Sequence, residues 1–297
     1  MLRYPEKITP LKSQSEDMRK LASLVEMRRK LVEDRRRFSN RLIATLKQYY
    51  PQILDWFSHR STTLFCDFIL RWPSLQELKK ARKRSVISVF KSSSSRTVPL
   101  IEERLQGIKD AKPLTNDSAV ITVNRLEAMA LASQILVTIH AIKTFDDEIQ
   151  STFDALPDSK LFSTLPGAGS CLAPRLLVAF GEDRDRYKSA KDIQQCAGVA
   201  PVTERSGQRS WIHWRWQCSK FLRQTFVEWA EKTIRRSYWA GVYYDSQRDK
   251  GKSHQMAVRA LAFKWIRILY ACWKSKTPYN ETTYLNRLKA RSSPIIA

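Results

Sequence analysis

Two long stretches of the chain place hydrophobic residues three and four positions apart, which is the spacing of one helix face. In the first stretch Ser13 or Ser15 can cap the start and Pro51 marks the end. In the second, the polar residues 116–118 can begin the helix. The apolar positions are Met18, Leu21, Val25, Val32, Phe38, Leu42 and Leu46 in the first, and Ile135, Ile139, Ile142, Phe145, Ile149, Phe153 and Leu156 in the second. The pattern predicts two long helices, the second with a heptad-like seam.

A mainly α protein follows from these helices and from the short helical patterns around them. We expect the long helices to pack as an antiparallel coiled coil, within the chain or with a second copy, while a plain structural stalk is the alternative for the second helix. The predicted segments are a first long basic helix (1–52), a small helical insert (53–115), the second long helix (116–157), a helical C-terminal domain (158–290) and a tail (291–297).

The C-terminal domain opens with the turn signal LPGAG, in which Gly167 and Gly169 precede an apolar stretch that ends at Gly181. This order predicts a helix-hairpin-helix, whose glycines allow close backbone approach and whose second helix offers N–H groups to a phosphate. A plain turn is the alternative. Further helices are predicted from about Ala190 to Cys196, from about Lys220 to Gln247 and from Ser253 to Trp273.

The net charge of the chain predicts a class of binding partner. The chain carries 52 Lys and Arg against 29 Asp and Glu, a formal net charge of +23. So large an excess predicts attraction to a polyanion, with nucleic acid first and an anionic membrane surface as the rival. No uninterrupted run of 18 apolar residues occurs and the N-terminus has no apolar signal-peptide core. We therefore expect a cytoplasmic protein that is not in a membrane.

Basic residues concentrate in two places that suit nucleic acid. The densest cluster falls in the insert and suits backbone phosphates; it comprises Lys79, Lys80, Arg82, Lys83 and Arg84. The second set interleaves tryptophans with cations, an arrangement that can stack bases and bind phosphates or can be ordinary core. It comprises Trp211, His213, Trp214, Arg215, Trp216, Lys220 and Arg223.

Ser206 stands out between these sets, because Gly207 follows it and Arg205 and Arg209 flank it. A hydroxyl in a tight turn between two positive charges can hold a phosphate, and an ordinary turn serine is the alternative.

The five cysteines are odd in number and have no CxxC spacing, which predicts buried free thiols and no zinc site. The consecutive carboxylates 146–148 point in different directions on a helix, so no metal ligands are assigned to this chain.

From Leu165 to Leu288 the chain resembles the C-terminal domain of the insertion-sequence 110/116/902 transposases. The resemblance is carried, in the family's order, by LPGAG, AGVAPVTERSG, CSKFLRQ, WAGVYYDSQRDKGKSHQMAVRALAFKWIRI and PYNETTYLNRL. The two long helices resemble the coiled-coil region that precedes this domain in the family.

The resemblance implies a DNA transposase or site-specific recombinase that is mobile-element encoded, acts as a homo-oligomer through the coiled coil and uses a structured bridge RNA. It implies that Ser206 is the nucleophile that becomes joined to DNA. Family members also carry an N-terminal RuvC-like domain whose four carboxylates bind Mg²⁺, and residues 1–115 show no βαβ pattern of that kind. We therefore expect a chain that lacks this domain, binds no cofactor itself and is weak or inactive alone. The alternative is a non-catalytic DNA- or RNA-binding remnant.

Overall fold

The computed structural model describes residues 12–92, 98–213 and 215–292, and this part of the chain is mainly helical. The mainly α prediction is therefore confirmed. Trp214 and residues 293–297 of the predicted tail lie outside the described residues. The helices are α1 (Glu16–Tyr49), α2 (Ile53–Trp56), α3 (Thr63–Arg71), α4 (Leu75–Lys80), α5 (Lys83–Ser92), α6 (Val98–Asp110), α7 (Ser118–Ala155), α8 (Ser159–Ser163), α9 (Gly169–Phe180), α10 (Ala190–Cys196), α11 (Lys220–Thr233), α12 (Tyr238–Asp249), α13 (His254–Ser275) and α14 (Glu281–Ala290); the strands are β1 (Val202–Ser206) and β2 (Arg209–His213).

The chain divides into two compact units, and each has its own hydrophobic core. We call Met27–Phe145 the insert unit, and Met1–Glu26 with Asp146–Ala297 the hairpin unit. The continuous helices α1 and α7 contribute residues to both units. Packing of these two helices as an antiparallel coiled coil stays a prediction, as do the segment boundaries expected from the sequence.

The insert unit is built from short helices α2–α6 with parts of α1 and α7. Its core is rich in aromatic rings: Phe57 contacts Phe65 at 5.3 Å and Phe68 at 5.0 Å between ring centroids. Ser74 caps α4 by accepting a hydrogen bond from the backbone N–H of Glu77. Because α4 and α5 bury one face in this core, the opposite faces and the junction between them stay in solvent.

The hairpin unit is held by a cluster of fully buried tryptophans. Trp265 on α13 lies between Trp229 of α11 and Trp239 of α12, with centroid distances of 4.8 and 4.6 Å. The indole N–H of Trp265 donates to the hydroxyl of Thr233 at 2.8 Å, so its one polar group is satisfied in the core. The cluster fixes α11, α12 and α13 against one another.

Among the described residues, α7 is the one helix long and apolar enough to cross a membrane by length and composition alone, with 33% of its most apolar window buried. A core helix of a soluble protein meets the same criterion. The heptad-like seam predicted from the sequence includes Ile135 in the insert core, and Ile149 and Phe153 in the hairpin core. Part of the apolar surface of α7 is therefore buried in the two hydrophobic cores.

Two sequence expectations about the C-terminal helices were wrong or incomplete. The single helix expected from Lys220 to Gln247 is two helices, because Ser237 is buried in an extended conformation and donates its hydroxyl hydrogen to Glu281 at 2.9 Å. α14 was not predicted, although Asn280 caps it by accepting the backbone N–H of Thr283 at 2.9 Å.

The five cysteines are free thiols, as the sequence predicts, but the expectation that they are buried was wrong for most of them. Cys66 is buried in the insert core, whereas Cys171 and Cys196 are exposed. Burial raises the pKa of the Cys66 thiol to about 12, so this side chain behaves as a neutral core residue.

A candidate nucleic-acid interface on an exposed hairpin

Ser206 lies at the tip of an antiparallel hairpin, which the sequence did not predict. β1 and β2 pair from Val202 opposite His213 to Ser206 opposite Arg209. Gly207 and Gln208 connect the strands, and Gly207 has φ of +61°, as the first central residue of a type II′ turn does. Every strand residue except Val202 is exposed. We call residues 197–217 the arm.

The register of the arm decides which side chains accompany Ser206. Residues directly opposite each other share a face of the ribbon, so Arg209 lies beside Ser206. Successive residues of a strand point to opposite faces, so Arg205 lies on the other face, where it pairs with Ser210. The expected placement of Ser206 between two arginines was therefore wrong: one cation shares its face.

Glu204 is the residue of this face that sequence reasoning missed. Its carboxylate Oε2 accepts the indole N–H of Trp211 at 3.1 Å and lies 3.1 Å from Nε2 of His213. Glu204 and Ser206 are two positions apart on one strand, so their Cα atoms are roughly 7 Å apart, and the Glu204 carboxylate is directed to Trp211 and His213. The sequence signal that could have identified Glu204 is its spacing of two positions from Ser206, because residues two apart on a strand share a face. The carboxylate orders the aromatic part of the face and makes no direct contact with Ser206.

The base of the arm is closed by backbone and side-chain contacts. The N–H of Ser219 donates to the carbonyl of Cys196 at 3.0 Å, which joins the two ends of the arm. A Cβ on Gly198 would meet the Cys218 sulfur at 2.7 Å, so the chain ends approach too closely for a side chain there. The arm therefore projects from a fixed base rather than from a loose loop.

Two predicted nucleic-acid-binding cations lie at this base. The guanidinium of Arg223, half-buried on α11, donates to the carbonyl of Arg215, which is also half-buried. Lys220, the first residue of α11, is exposed. Arg215 and Arg223 are thus brought together in a structural contact, and their binding of nucleic acid stays a prediction.

The LPGAG segment forms a turn between α8 and α9, and Gly169 is the first residue of α9. The turn rests on α11, because the carbonyl of Pro166 accepts the indole N–H of Trp229 at 3.0 Å. Arg175 anchors α9 to the same helix by donating to Glu228 at 2.6 Å. Gly169 and Ser170 are exposed, so the first turn of α9 faces solvent. Assignment as a helix-hairpin-helix stays a prediction.

The two glycines of this turn differ in their surroundings, which gives a test of their roles. Both have positive φ, but a Cβ on Gly167 would lie 3.0 Å from the carbonyl oxygen of Lys232, whereas one on Gly169 would meet nothing within 4 Å. We expect Gly167→Ala to destabilise the protein by about 2–3 kcal/mol and Gly169→Ala by about 1 kcal/mol, measured by urea unfolding. Equal losses would show that the contact with α11 does not constrain Gly167.

The densest predicted cluster lies in the insert unit, at the junction of α4 and α5. Its five side chains are exposed. Lys79 makes one long hydrogen bond, from its Nζ to the carbonyl of Lys109 at 3.4 Å. We call this set the junction cluster: Lys79, Lys80, Arg82, Lys83 and Arg84.

Two of the three tryptophans predicted to stack bases lie in the described part of the chain, and both are at the surface. Trp216 is 81% exposed and Trp211 is 41% exposed, whereas Trp229 and Trp265, which were not predicted to stack bases, are fully buried. The two exposed indoles belong to the arm. They give the arm aromatic surface next to the polar face that holds Ser206.

Two family models match parts of this chain. A model described as the transposase IS116/IS110/IS902 family matches residues 159–245, which include the LPGAG turn, the arm and α11. A DEDD transposase model of IS110 matches residues 1–51, which include α1. The expected lack of the family's N-terminal portion is therefore not confirmed.

Curated relatives agree with the family models. The chain is 25% identical over 277 residues to a Streptomyces coelicolor protein described as "Mini-circle putative transposase for IS117", covering 92% of this chain and 67% of that protein. It is 27% identical over 282 residues to the insertion element IS116 uncharacterized 44.8 kDa protein of Streptomyces clavuligerus, covering 90% and 66%. A pilin gene-inverting protein of Moraxella bovis is 28% identical over 150 residues, 48% and 46% of the two chains. The chain spans about two thirds of the length of the insertion-element relatives.

Proposed function

We propose that this chain is a transposase of the IS110/IS116/IS902 family, which its family-model matches and curated relatives support, and that it carries out DNA strand transfer with Ser206 as nucleophile. The observation that carries the proposal is the position of Ser206, exposed at the tip of the arm inside the matched segment. Arg209 shares its face and can neutralise a phosphate that approaches the hydroxyl.

The chemical step follows from the hydroxyl and the phosphodiester. The Ser206 oxygen attacks phosphorus and forms a phosphoserine ester with one strand end. The sugar oxygen of the other strand end leaves as an alkoxide and takes up the proton that the serine loses. A second sugar hydroxyl then attacks the same phosphorus, joins the new strand and restores Ser206. One ester replaces another in each step, so no oxidant and no nucleotide hydrolysis is needed.

A serine hydroxyl is a weak nucleophile until a base or a metal ion activates it. The family implies Mg²⁺, but the described residues contain no group of three or more His, Cys, Asp and Glu side chains that could hold a metal ion. No step of the proposed reaction is therefore assigned to a metal ion held by these residues. The assay should supply Mg²⁺ and compare the chain alone with the chain plus the nuclease portion of a full-length relative.

The partners of the proposed reaction are DNA and a structured guide RNA, and the active form is a homo-oligomer. A DNA partner and a cytoplasmic location are favoured by the family. The net charge of +23 and the exposed tryptophans of the arm suit a nucleic-acid partner. A binding function without catalysis is the second candidate, favoured by the exposed junction cluster, and the Ser206 variants separate it from the first.

Binding through phosphates should be strongly salt-dependent. If six or more phosphates are neutralised, we expect the affinity for duplex DNA to fall by about three orders of magnitude between about 50 and 200 mM salt. Replacing Arg82 and Lys83 of the junction cluster with glutamine should reduce the slope of log K against log salt by about 2. Fluorescence anisotropy with a labelled duplex measures both quantities.

The matched control replaces Lys91 and Lys112, two exposed lysines of the same unit outside the junction cluster, with glutamine. This variant loses the same charge and should keep nearly the full slope. A slope that falls equally in both double variants would show that net charge, not the junction cluster, sets the binding.

A further inference from the structure

A cavity of about 670 Å³ lies between the C-terminal half of α13 and α14. We call it the α13–α14 pocket. Its volume falls within the range of small-molecule sites, roughly 300–1,000 Å³. None of its lining residues belongs to the arm, the LPGAG turn or the junction cluster, so the proposed strand-transfer chemistry does not use it.

Four cations line the α13–α14 pocket and no carboxylate does: Lys264, Arg267, Arg287 and Arg291. In the described part of the chain none of the four forms an ion pair with an acidic side chain. Glu281, at the start of α14, accepts a hydrogen bond from Ser237 instead. Burial, followed by the charge of Arg267, lowers the pKa of Lys264, as expected where cations crowd without a counter-charge. The pocket is complementary to an anion of more than one charge.

The remaining wall is apolar and aromatic. Tyr284 packs against Trp239 at 5.1 Å and Tyr279 against Trp265 at 5.1 Å, so the buried tryptophan cluster holds both tyrosines in place. The Tyr279 hydroxyl accepts the indole N–H of Trp239 at 2.8 Å. Ile268 and Leu288 complete this side. A bare phosphate would leave the apolar wall uncovered, whereas a ligand with a flat ring would cover it.

We propose that the α13–α14 pocket binds a nucleoside phosphate, with the base against Tyr284 and Leu288 and the phosphates between the arginines of α13 and α14. The same chemistry is offered by a free nucleotide and by the phosphorylated end of a nucleic-acid strand. This site is additional to the proposed strand-transfer function and independent of Ser206.

Titration calorimetry of the full chain with ADP at near-physiological salt tests the proposal. Arg287→Ala and Arg291→Ala should each raise the Kd for ADP at least about tenfold, because each removes a hydrogen-bonded charge from the phosphates. Lys289→Ala is the matched control, since Lys289 is an exposed cation of the same helix that does not line the pocket. It should leave the Kd within about twofold. Circular dichroism of each variant checks that α14 still folds.

Two further probes define the ligand. Pyrophosphate should bind at least about tenfold more weakly than ADP, because it lacks the ring that covers the aromatic wall. Displacement of ADP by a 5′-phosphorylated trinucleotide would identify a strand end as the source, and its failure would identify a free nucleotide. Absence of saturable ADP binding, pyrophosphate binding as tight as ADP, or equal losses in the Arg287 and Lys289 variants would overturn the proposal. Since Ser206→Ala should bind ADP normally, such a failure leaves the strand-transfer proposal untouched.

Discussion

Replacing Ser206 with alanine is expected to abolish strand transfer while leaving nucleic-acid binding and folding unchanged. The side chain is exposed and makes no hydrogen bond to a described residue, so its removal costs the fold almost nothing. Loss of a covalent nucleophile removes the reaction path itself, which corresponds to a fall in rate of roughly 10³-fold or more. Donor and target DNA, the cognate RNA, Mg²⁺ and the nuclease portion of a full-length relative are incubated with each variant, and joined product is quantified on a gel.

The arm supplies matched controls for this experiment. Ser210→Ala removes the same hydroxyl from the opposite face of the same hairpin, where the residue pairs with Arg205. Its activity should stay near that of the unchanged chain. Arg209→Ala should reduce strand transfer by about tenfold or more, since a charge-assisted contact to the phosphate is lost, whereas Arg205→Ala should have a smaller effect. Equal effects of the two arginines would contradict the assignment of the reactive face.

Trp265→Ala is expected to cause the largest loss of stability, about 3–5 kcal/mol. Trp265 is fully buried, contacts two other tryptophans and donates to Thr233, so its removal leaves a large cavity and takes one of two hydrogen bonds from the Thr233 hydroxyl, which still donates to the carbonyl of Ala230. Trp216→Ala removes the same side chain from a position that is 81% exposed and should change stability by less than about 0.5 kcal/mol. Urea unfolding followed by circular dichroism measures both. A comparable loss in the two variants would show that Trp216 packs against a surface in solution.

The exposed tryptophan should instead affect binding. A base stacked on an aromatic side chain contributes about 1–3 kcal/mol, so Trp216→Ala should weaken single-stranded nucleic-acid binding about tenfold if the arm stacks a base. Unchanged affinity in Trp216→Ala, with the fold intact, would mean that the arm contacts nucleic acid through its cations alone. The pair of variants thus separates the core use of tryptophan from the binding use, which the sequence left open.

Helices with strong local signals were predictable from the sequence. α10 begins where Ser189 and Asp192 form a capping box, and α9 ends at Gly181, which adopts a positive φ. The missed break before α12 has no glycine or proline to mark it. At the break Ser237 is extended and donates to Glu281, 44 positions away, and no local pattern contains such a contact. α14 did carry a signal, since Asn280 and Glu281 are a cap and an acidic first turn.

The residues of the candidate site could be named from the sequence, but their arrangement in space could not. Ser206, Arg205 and Arg209 are close in sequence, and proximity in sequence suggested a shared surface. The hairpin was missed because its strands are exposed and hold few apolar residues, so no period of two in hydrophobicity marks them. Once the strands pair, alternation sends Arg205 to the opposite face and brings Glu204 and Trp211 to the face of Ser206.

The covalent intermediate offers the most direct test of Ser206. Protein is mixed with RNA, Mg²⁺ and donor DNA, with the nuclease portion of a relative added in a parallel sample, and the reaction is stopped by denaturation. Digestion with protease and nuclease, followed by mass spectrometry, locates any nucleotide attached to the protein. We expect a nucleotide linked through phosphate to Ser206 in the unchanged chain and none in Ser206→Ala. Attachment to another residue, or strand joining that persists in Ser206→Ala, would contradict the assignment of Ser206 as the nucleophile.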